Sequence, residues 1–353
     1  MGRGYNGEVV DAGLYIGDHC NVGDSMRVLV TGATGFAGSH LVDDLLENGD
    51  EVYGLVYRAD DPGEYPEHAS FFKLEGDLLD EESLQEAMEA ARPEVIYHLA
   101  GWALTAQSWD YPAKTISINT VGTANLLHAA VNNGKPRVVA VTSAEIYGVV
   151  KAEQLPIDEE SEPDPHHPYG LSKWAAGRLI PMFWRRFGLP VIEARPFNHI
   201  GPGQGLGFVV PDFASQLAAI RLGQREPQIA VGNLSAERDF TDVRDVVRAY
   251  QCLAERGRPG KTYIICSGQA VPIHYILSVL VEIAQVGLEI IYDSERMRPS
   301  DTPVLYGSYE RIARDTGWRP QIHIRQSLVD AFEDWVGRLE RKGLATGEVE
   351  FGD

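Results

Sequence analysis

Cysteine, long apolar stretches and positive charge are all scarce in this sequence. The three cysteines, Cys20, Cys252 and Cys266, include no CxxC pair and suggest no disulfide framework, which fits a reducing cytosol. No apolar run reaches the ~18 residues that a membrane span needs, so we expect no membrane partner. Residues 1–25 are rich in Gly and Asp and lack the basic and apolar regions of a signal peptide. We therefore expect a cytoplasmic protein whose residues 1–25 form a poorly ordered extension.

The shortage of positive charge also limits the partners. Lys and Arg number 31 against 51 Asp and Glu, so the formal net charge is −20. Such a surface repels polyphosphate backbones, which argues against nucleic acid. Any anionic substrate must then be held by a few locally placed arginines. We also predict no metal site, because the adjacent His166 and His167 are poorly spaced for one ion and are expected to serve only as loop residues.

What the sequence does contain is a glycine-rich turn between an apolar strand and an amphipathic helix. Gly32, Gly35 and Gly38 follow the run Met26–Thr31 at three-residue spacing. The first glycine permits a tight turn, the second lets the backbone approach a pyrophosphate, and the third lets the helix pack closely on the strand. The helix N-terminus adds free N–H groups for the phosphates. This pattern predicts dinucleotide binding by Gly32, Thr34, Gly35, Phe36, Ala37 and Gly38.

Strand-like and helix-like segments alternate from Met26 to about Pro196. The predicted strands are Arg27–Thr31, Glu51–Tyr57, Phe71–Leu74, Val95–Leu99, Val138–Thr142 and Val191–Ala194. The predicted helices between them are Phe36–Asn48, Glu81–Ala91, Ala113–Asn133 and Tyr169–Phe187. Apolar strands separated by amphipathic helices indicate an α/β fold, a doubly wound parallel sheet of the Rossmann type that binds ligands beyond the carboxyl ends of its strands.

The regular alternation of strands and helices ends after Pro196, which predicts a second lobe. Asn198–Phe208 carries four glycines and one proline and is predicted as a loop. Helices are predicted at Val210–Leu222, Val243–Glu255, Ile273–Ala284 and Ile324–Leu339, with short strands between them. We assign 26–197 to the Rossmann domain, with a return around 240–268, and 198–239 and 269–345 to a smaller mixed α/β C-terminal lobe.

Tyr169 and Lys173 are four residues apart at the start of a predicted helix and so share one face. An ammonium about 4 Å from a phenolate contributes roughly 4 kcal/mol at an effective dielectric near 20. That energy lowers a tyrosine pKa from ~10 towards ~7, where the phenol serves as an acid or a base. Ser143, at the end of the preceding predicted strand, lies where its hydroxyl could bond a substrate carbonyl.

The glycine turn, Ser143, Tyr169 and Lys173 together resemble the extended short-chain dehydrogenase/reductase family, from Met26 to roughly Trp335. The resemblance implies that Ser143, Tyr169 and Lys173 are catalytic and that Tyr169 and Lys173 also contact the cofactor. It further implies cofactor contacts from Asp77, Leu78, Leu99 and Ala100, and support of the site by Asn119. At the end of the second strand Val56 replaces the usual carboxylate, and Arg58 follows. This favours NADPH, although the nearby Asp60 and Asp61 leave NADH open.

Later motifs resemble the GDP-mannose branch of that family, and the resemblance implies a GDP-sugar substrate. Its implied contacts are Asn198, Val209, Val210, Arg238, Arg298 and Asp301. The implied reaction is reduction of the C4 ketone of GDP-4-dehydro-6-deoxy-D-mannose by NAD(P)H to GDP-D-rhamnose. Glu145 follows Ser143 and Ala144 where related dehydratases carry an acid/base, so it is either catalytic or a contact to a sugar hydroxyl.

Three alternatives to this reduction remain open at the level of sequence. Two are enzymes that share the same fold, a GDP-mannose 4,6-dehydratase and a nucleotide-sugar 4-epimerase. The third is a cofactor-sensing protein without catalysis. The resemblance also implies a homodimer formed through the helices Ala113–Asn133 and Tyr169–Phe187.

Overall fold

The computed structural model describes residues 25–57, 65–293 and 302–346. The predicted extension 1–25, apart from residue 25, lies outside the described residues, as do the predicted ligand contacts Arg58, Arg298 and Asp301. Among the described residues, no helix is both long enough and apolar enough to cross a membrane.

A parallel sheet forms the first part of the chain. Its strands within the described residues are β1 Arg27–Thr31, β2 Glu51–Val56, β3 Phe71–Glu75, β4 Val95–His98, β5 Arg137–Val141 and β6 Val191–Pro196, joined by β10 Thr262–Ile265. The order across the sheet is β10-β6-β5-β4-β1-β2-β3. The predicted Rossmann α/β fold is confirmed, and so are its six strands to within one or two residues at each end.

Helices cover both faces of this sheet because its strands are apolar on both sides. They are α1 Phe36–Glu47, α2 Glu81–Ala91, α3 Pro112–Ile116, α4 Gly122–Asn132, α5 Pro168–Phe187 and α7 Val243–Arg256. Val28 and Val30 pack with α1 and α7 on one face. Leu29, between them, packs with α2 and α4 on the other face. A strand buried on both sides therefore needs no alternation of polar residues.

The helix predicted over 113–133 is interrupted by one wider π turn at Ser117–Val121. Such a turn places an extra residue in the helix and is frequent at functional sites. Here Asn119 lies in the turn and is buried, with its side-chain amide bonded to Ser172 of α5. Periodicity could not show this, since the turn breaks the regular spacing over only five residues.

The second region packs around its own apolar core. Its helices are α6 Val209–Arg221, α8 Ile273–Ala284 and α10 Ile324–Thr346. A further helix, α9 Glu310–Thr316, packs instead with α7 and β10 in the core of the parallel sheet. Its strands are β7 Asn198–Ile200, β8 Gln228–Val231, β9 Glu237–Asp242, β11 Ala270–Pro272, β12 Glu289–Tyr292 and β13 Val304–Leu305. β9 pairs with β7, β11 and β13, and β12 pairs with β8.

Two expectations for this region are wrong. Asn198–Ile200 forms a strand rather than a loop, because it pairs with Phe240–Asp242 of β9, far away in the sequence. α10 continues to Thr346, beyond the predicted end at Leu339. The domain boundaries themselves stay a prediction.

The two described cysteines differ. Cys266 carries a free, buried thiol. Cys252 is disulfide-bonded, so the expectation of a chain without disulfides is wrong at that residue.

Candidate active site

One cavity of about 1490 Å³ runs between the carboxyl ends of the sheet strands and the second region. Its volume exceeds the roughly 300–1,000 Å³ of a single small-molecule site, which leaves room for two ligands. The walls contain every predicted site residue that the structure describes: Gly32, Thr34, Gly35, Phe36, Ala37, Gly38, Asp77, Leu78, Leu99, Ala100, Ser143, Glu145, Tyr169, Lys173, Asn198, Val209, Val210 and Arg238. The fold therefore brings together residues that are up to about two hundred positions apart in the chain.

The glycine end of this cavity, defined by 32–38 and 76–79, is formed mainly by backbone. Gly32 has a φ of 73°, and a methyl group on it would lie 2.8 Å from the backbone nitrogen of Ala100. A methyl group on Gly38 would lie 2.0 Å from the carbonyl oxygen of Gly32. β1, the loop after β4 and α1 therefore meet at distances that only glycine allows.

The same end fits an anionic dinucleotide. α1 begins after Gly35, and no side chain caps its N-terminus. Its first residues, Phe36 and Ala37, line the cavity. Uncapped N–H groups at the positive end of a helix bind phosphate. The carboxylate of Asp77 also lines the cavity and accepts the N–H of Leu79 at 2.9 Å.

The side-chain end of the cavity is defined by Ser143, Glu145, Tyr169, Lys173 and Arg238. Ser143 follows β5, and its Oγ accepts the N–H of Glu145 at 3.2 Å. The Ser143 hydroxyl lies close enough to the phenol of Tyr169, on the first turn of α5, to lower the pKa of that phenol. Lys173, one turn further along α5, donates from Nζ to the carbonyl of Val141 at 3.0 Å. The predicted hydroxyl, phenol and ammonium thus line one end of the cavity.

The expected fall in the Tyr169 pKa is contradicted. Burial raises the pKa of Tyr169 to about 12, with the Ser143 hydrogen bond opposing the rise and the Glu145 carboxylate adding to it. Burial also lowers the pKa of Lys173 to about 8. The prediction counted the attraction between Tyr169 and Lys173 and left out the desolvation of two buried groups, which dominates here.

A buried charged pair supports the segment that carries Ser143 and Glu145. The Glu193 carboxylate accepts from Thr142 at 2.7 Å, from Thr262 at 2.6 Å and from Arg195 at 2.9 Å. Burial alone would raise the pKa of Glu193, but Arg195 and the two hydroxyls outweigh it and hold that pKa low. Arg195 also donates to the phenol oxygen of Tyr147 at 2.6 Å. Both ends of the 142–147 segment are therefore anchored from β6.

A second buried group lies behind the cavity. His98 bonds Thr31 at 2.8 Å and Thr123 at 3.0 Å through its two ring nitrogens. Burial, aided by the charge of Lys173, lowers the pKa of His98 to about 3, so the ring is neutral. It joins β1, β4 and α4 directly beneath the loop that carries Leu99 and Ala100.

Several residues of the site escaped the sequence prediction. Trp102 lines the cavity, and its indole nitrogen is buried without a hydrogen-bond partner among the described residues. Gln204 is likewise a buried cavity residue whose Oε1 has no such partner. His167 bonds the Glu145 carboxylate at 3.0 Å. The sequence held no signal for Trp102 or Gln204, because both lie in irregular loops whose path is set by tertiary contacts.

Comparisons with known proteins extend over both regions. A sequence profile of the family described as GDP-mannose 4,6 dehydratase matches residues 29–330. GDP-6-deoxy-D-mannose reductase from Pseudomonas aeruginosa is 37% identical over 319 residues, which are 90% of this chain and 100% of that protein. GDP-6-deoxy-D-talose 4-dehydrogenase from Aggregatibacter actinomycetemcomitans is 30% identical over 295 residues, covering 83% of this chain and 92% of that one.

Solved structures agree. The structure of RMD from Pseudomonas aeruginosa complexed with NADPH superposes with a TM-score of 0.79 at 37% identity, covering 89% of this chain and 100% of that one. UDP-glucose 4-epimerase from Thermotoga maritima, solved with UDP-glucose, has a TM-score of 0.80 at 29% identity, covering 89% and 100%. The match includes the parallel sheet and the second region alike.

Proposed function

This chain belongs to the GDP-mannose 4,6-dehydratase family, and we propose that it reduces the C4 ketone of GDP-4-dehydro-6-deoxy-D-mannose to GDP-D-rhamnose. The observation that carries the proposal is the convergence of Ser143, Tyr169 and Lys173 on the cavity that also holds the glycine turn. The cofactor is NAD(P)H, which supplies a hydride to the ketone carbon when bound. The GDP-sugar specificity rests on the relatives.

The protonation state of Tyr169 supports the direction of the reaction. Reduction of a ketone leaves an alkoxide, which must receive a proton. A phenol whose pKa is about 12 is protonated near neutral pH and can donate, and an alkoxide is a stronger base than the phenolate that remains. Ser143 bonds the ketone oxygen and orients it towards Tyr169. Lys173, whose pKa is about 8, is still charged at neutral pH and stabilises the phenolate.

We assign the remaining residues by position. The uncapped N-terminus of α1 would hold the cofactor pyrophosphate, and Asp77 its adenosine. At the other end Arg238 would pair with the sugar diphosphate, Asn198 would contact the sugar, and the backbone of Val209 and Val210 would frame the base. We further propose a preference for NADPH, since β2 ends at Val56 and offers no carboxylate to a ribose hydroxyl.

The test is direct. Purified protein mixed with GDP-4-dehydro-6-deoxy-D-mannose and NADPH should oxidise the nicotinamide stoichiometrically, and more efficiently than with NADH. Folded protein that oxidises neither NADPH nor NADH would contradict the proposal. NADH turning over faster than NADPH would contradict only the cofactor preference.

One observation favours a second candidate, a GDP-mannose 4,6-dehydratase. Glu145 keeps a carboxylate beside Tyr169, where such an enzyme needs an acid/base, but its neighbour Ala144 is a buried methyl group. GDP-mannose offered alone decides between the two, because a dehydratase forms the keto sugar without net consumption of NADPH and a reductase does not react.

We also propose a homodimer. Apolar side chains are exposed on the two helices expected at the interface, including Val121 at 47%, Leu171 at 43% and Met182 at 55%. Met182→Glu should shift the protein from dimer to monomer in size-exclusion chromatography with light scattering. Tyr292→Glu, on the exposed strand β12, is the matched control and should leave the size unchanged. A monomeric wild-type protein would contradict the proposal. The cytoplasmic location expected from the sequence stays a prediction.

A further inference from the structure

His167 links two elements of the site that are 22 residues apart. It precedes α5 as the N-cap, and its Nδ1 accepts the N–H of Gly170 at 3.0 Å. Its Nε2 lies 3.0 Å from Oε2 of Glu145. Because Nδ1 accepts a backbone proton, the proton of a neutral ring is on Nε2 and is donated to the carboxylate. The two bonds together fix the tautomer.

The geometry around this contact is close. A methyl group on Gly170 would lie 2.6 Å from the carbonyl oxygen of Glu145 and 3.2 Å from Cε1 of His167. The rings of His167 and Tyr169 are parallel to within 5° at a centroid distance of 6.1 Å. His167 is therefore held by the first turn of α5, and it is only 16% exposed at its side chain.

The Glu145 carboxylate needs a hydrogen-bond partner to stay in the site. Its side chain is 40% exposed and lines the cavity, so the carboxylate has room to turn away from the site. Ser143 and Tyr169 both line the cavity and mark where the ketone oxygen would be. The backbone N–H of Glu145 bonds Ser143, which places the Glu145 carboxylate beside that position.

We propose that His167 is a positioning residue that holds the Glu145 carboxylate in the cavity, where it accepts a hydrogen bond from a sugar hydroxyl next to the reacting carbon. This inference rests on the proposed function. If this is so, the His167–Glu145 pair contributes to the affinity for the sugar and not to the affinity for the nucleotide, since the pair lies on the Tyr169 side of the cavity. GDP-mannose, which carries hydroxyls on that part of the sugar, and GDP, which has no sugar, are therefore the two probes.

The variants separate the two bonds of His167. Asn is a good N-cap that still accepts the Gly170 N–H, but it is too short to reach Glu145, so His167→Asn removes only the second bond. Glu145→Gln removes the carboxylate itself. His166→Asn is the matched control, because the His166 ring accepts the N–H of Val149 at 3.3 Å and bonds no atom of Glu145 among the described contacts.

Titration calorimetry of the NADPH-loaded protein should show the Kd for GDP-mannose raised about tenfold in His167→Asn and in Glu145→Gln, and the Kd for GDP unchanged in both. The double variant should bind GDP-mannose no more weakly than Glu145→Gln alone, because His167 acts through Glu145. His166→Asn should bind both probes like the wild type.

Two results would overturn the inference. If His167→Asn binds GDP-mannose as tightly as the wild type, His167 is only a helix cap. Additive losses in the double variant would mean that His167 acts independently of Glu145. Failure of the proposed GDP-sugar specificity looks different: the wild-type protein then binds neither GDP nor GDP-mannose, and the inference falls with it.

Discussion

The glycine end and the side-chain end of the cavity are built by different means. At the glycine end, the shape of the backbone does the recognition, and the constraint is steric: Gly38 tolerates nothing larger because the Gly32 carbonyl lies against it. At the side-chain end, Tyr169 and Lys173 are buried ionisable groups whose pKa values are moved in opposite directions by desolvation. The geometry of the glycine end therefore depends on local packing. The chemistry of the side-chain end depends on charged groups that distant segments of the chain bring together.

This contrast predicts that substitutions at the two ends of the cavity impair different properties. A substitution at the glycine end should reduce folding stability and cofactor binding together, because the same backbone serves both. A substitution at the side-chain end should reduce chemistry or sugar binding and leave the fold intact or even more stable. Strain and desolvation are costs that a functional site imposes on the fold.

The largest effect is expected for Tyr169→Phe. The variant keeps the ring and its packing but loses the proton donor, so kcat should fall about a thousandfold, within the range for loss of a general acid. The Kd for NADPH should stay within about twofold, because the phenol is not needed for the phosphate contacts. Stopped-flow turnover and fluorescence titration of NADPH check the two halves. Undiminished turnover would show that the proton comes from another group.

Lys173→Met should separate stability from activity. With its pKa lowered to about 8, the folded Lys173 loses its proton before the unfolded chain does, so wild-type stability rises with pH between about 8 and 10.5. Below pH 8 the fold bears the full cost of the buried charge. Met fills a similar volume without charge, so near neutral pH the variant should be inactive yet up to about 3 kcal/mol more stable.

Urea unfolding at about pH 7 and about pH 9.5 tests this linkage, since the advantage of the variant should shrink at the higher pH. Lys261→Met, at an exposed lysine, is the control and should change stability by less than about 0.5 kcal/mol at both pH values. A variant that is less stable than the wild type at neutral pH would mean that the bond from Lys173 to the Val141 carbonyl outweighs the desolvation.

The same contrast explains what the sequence could predict. The glycine turn is local, so spacing alone located Gly32, Gly35 and Gly38, and strand β1 was predicted to the residue. The first turn of α5 was also predicted correctly, and the family resemblance linked Tyr169 and Lys173 to Ser143. The strand pairing of Asn198–Ile200 and the bond from His167 to Glu145 join distant segments, and no local pattern records them. The prediction of a lowered Tyr169 pKa was wrong for a related reason, since desolvation depends on everything that packs around the phenol.

Gly38→Ala tests the steric claim at the glycine end. The added methyl group would meet the Gly32 carbonyl at 2.0 Å, so α1 must move away from β1. We expect a loss of about 2 kcal/mol in unfolding free energy and a weaker affinity for NADPH. Gly287→Ala is the matched control, because an added methyl group there meets no atom within 4 Å. Equal stability of the two variants would show that α1 adjusts without cost.

The smallest effect is expected for Arg238→Ala, at the far side of the side-chain end. Burial lowers the pKa of Arg238, and Glu145 is the charge that opposes this shift, so the guanidinium is held beside the site at some cost in solvation. If it pairs with the diphosphate, its removal should raise the KM for the GDP-sugar about tenfold, or about 1.4 kcal/mol, and leave kcat and NADPH affinity nearly unchanged. Arg221→Ala, which breaks an exposed pair with Glu333, is the control and should alter neither constant. A loss of NADPH affinity in Arg238→Ala would place this arginine with the cofactor, and the division between the two ends of the cavity would no longer hold.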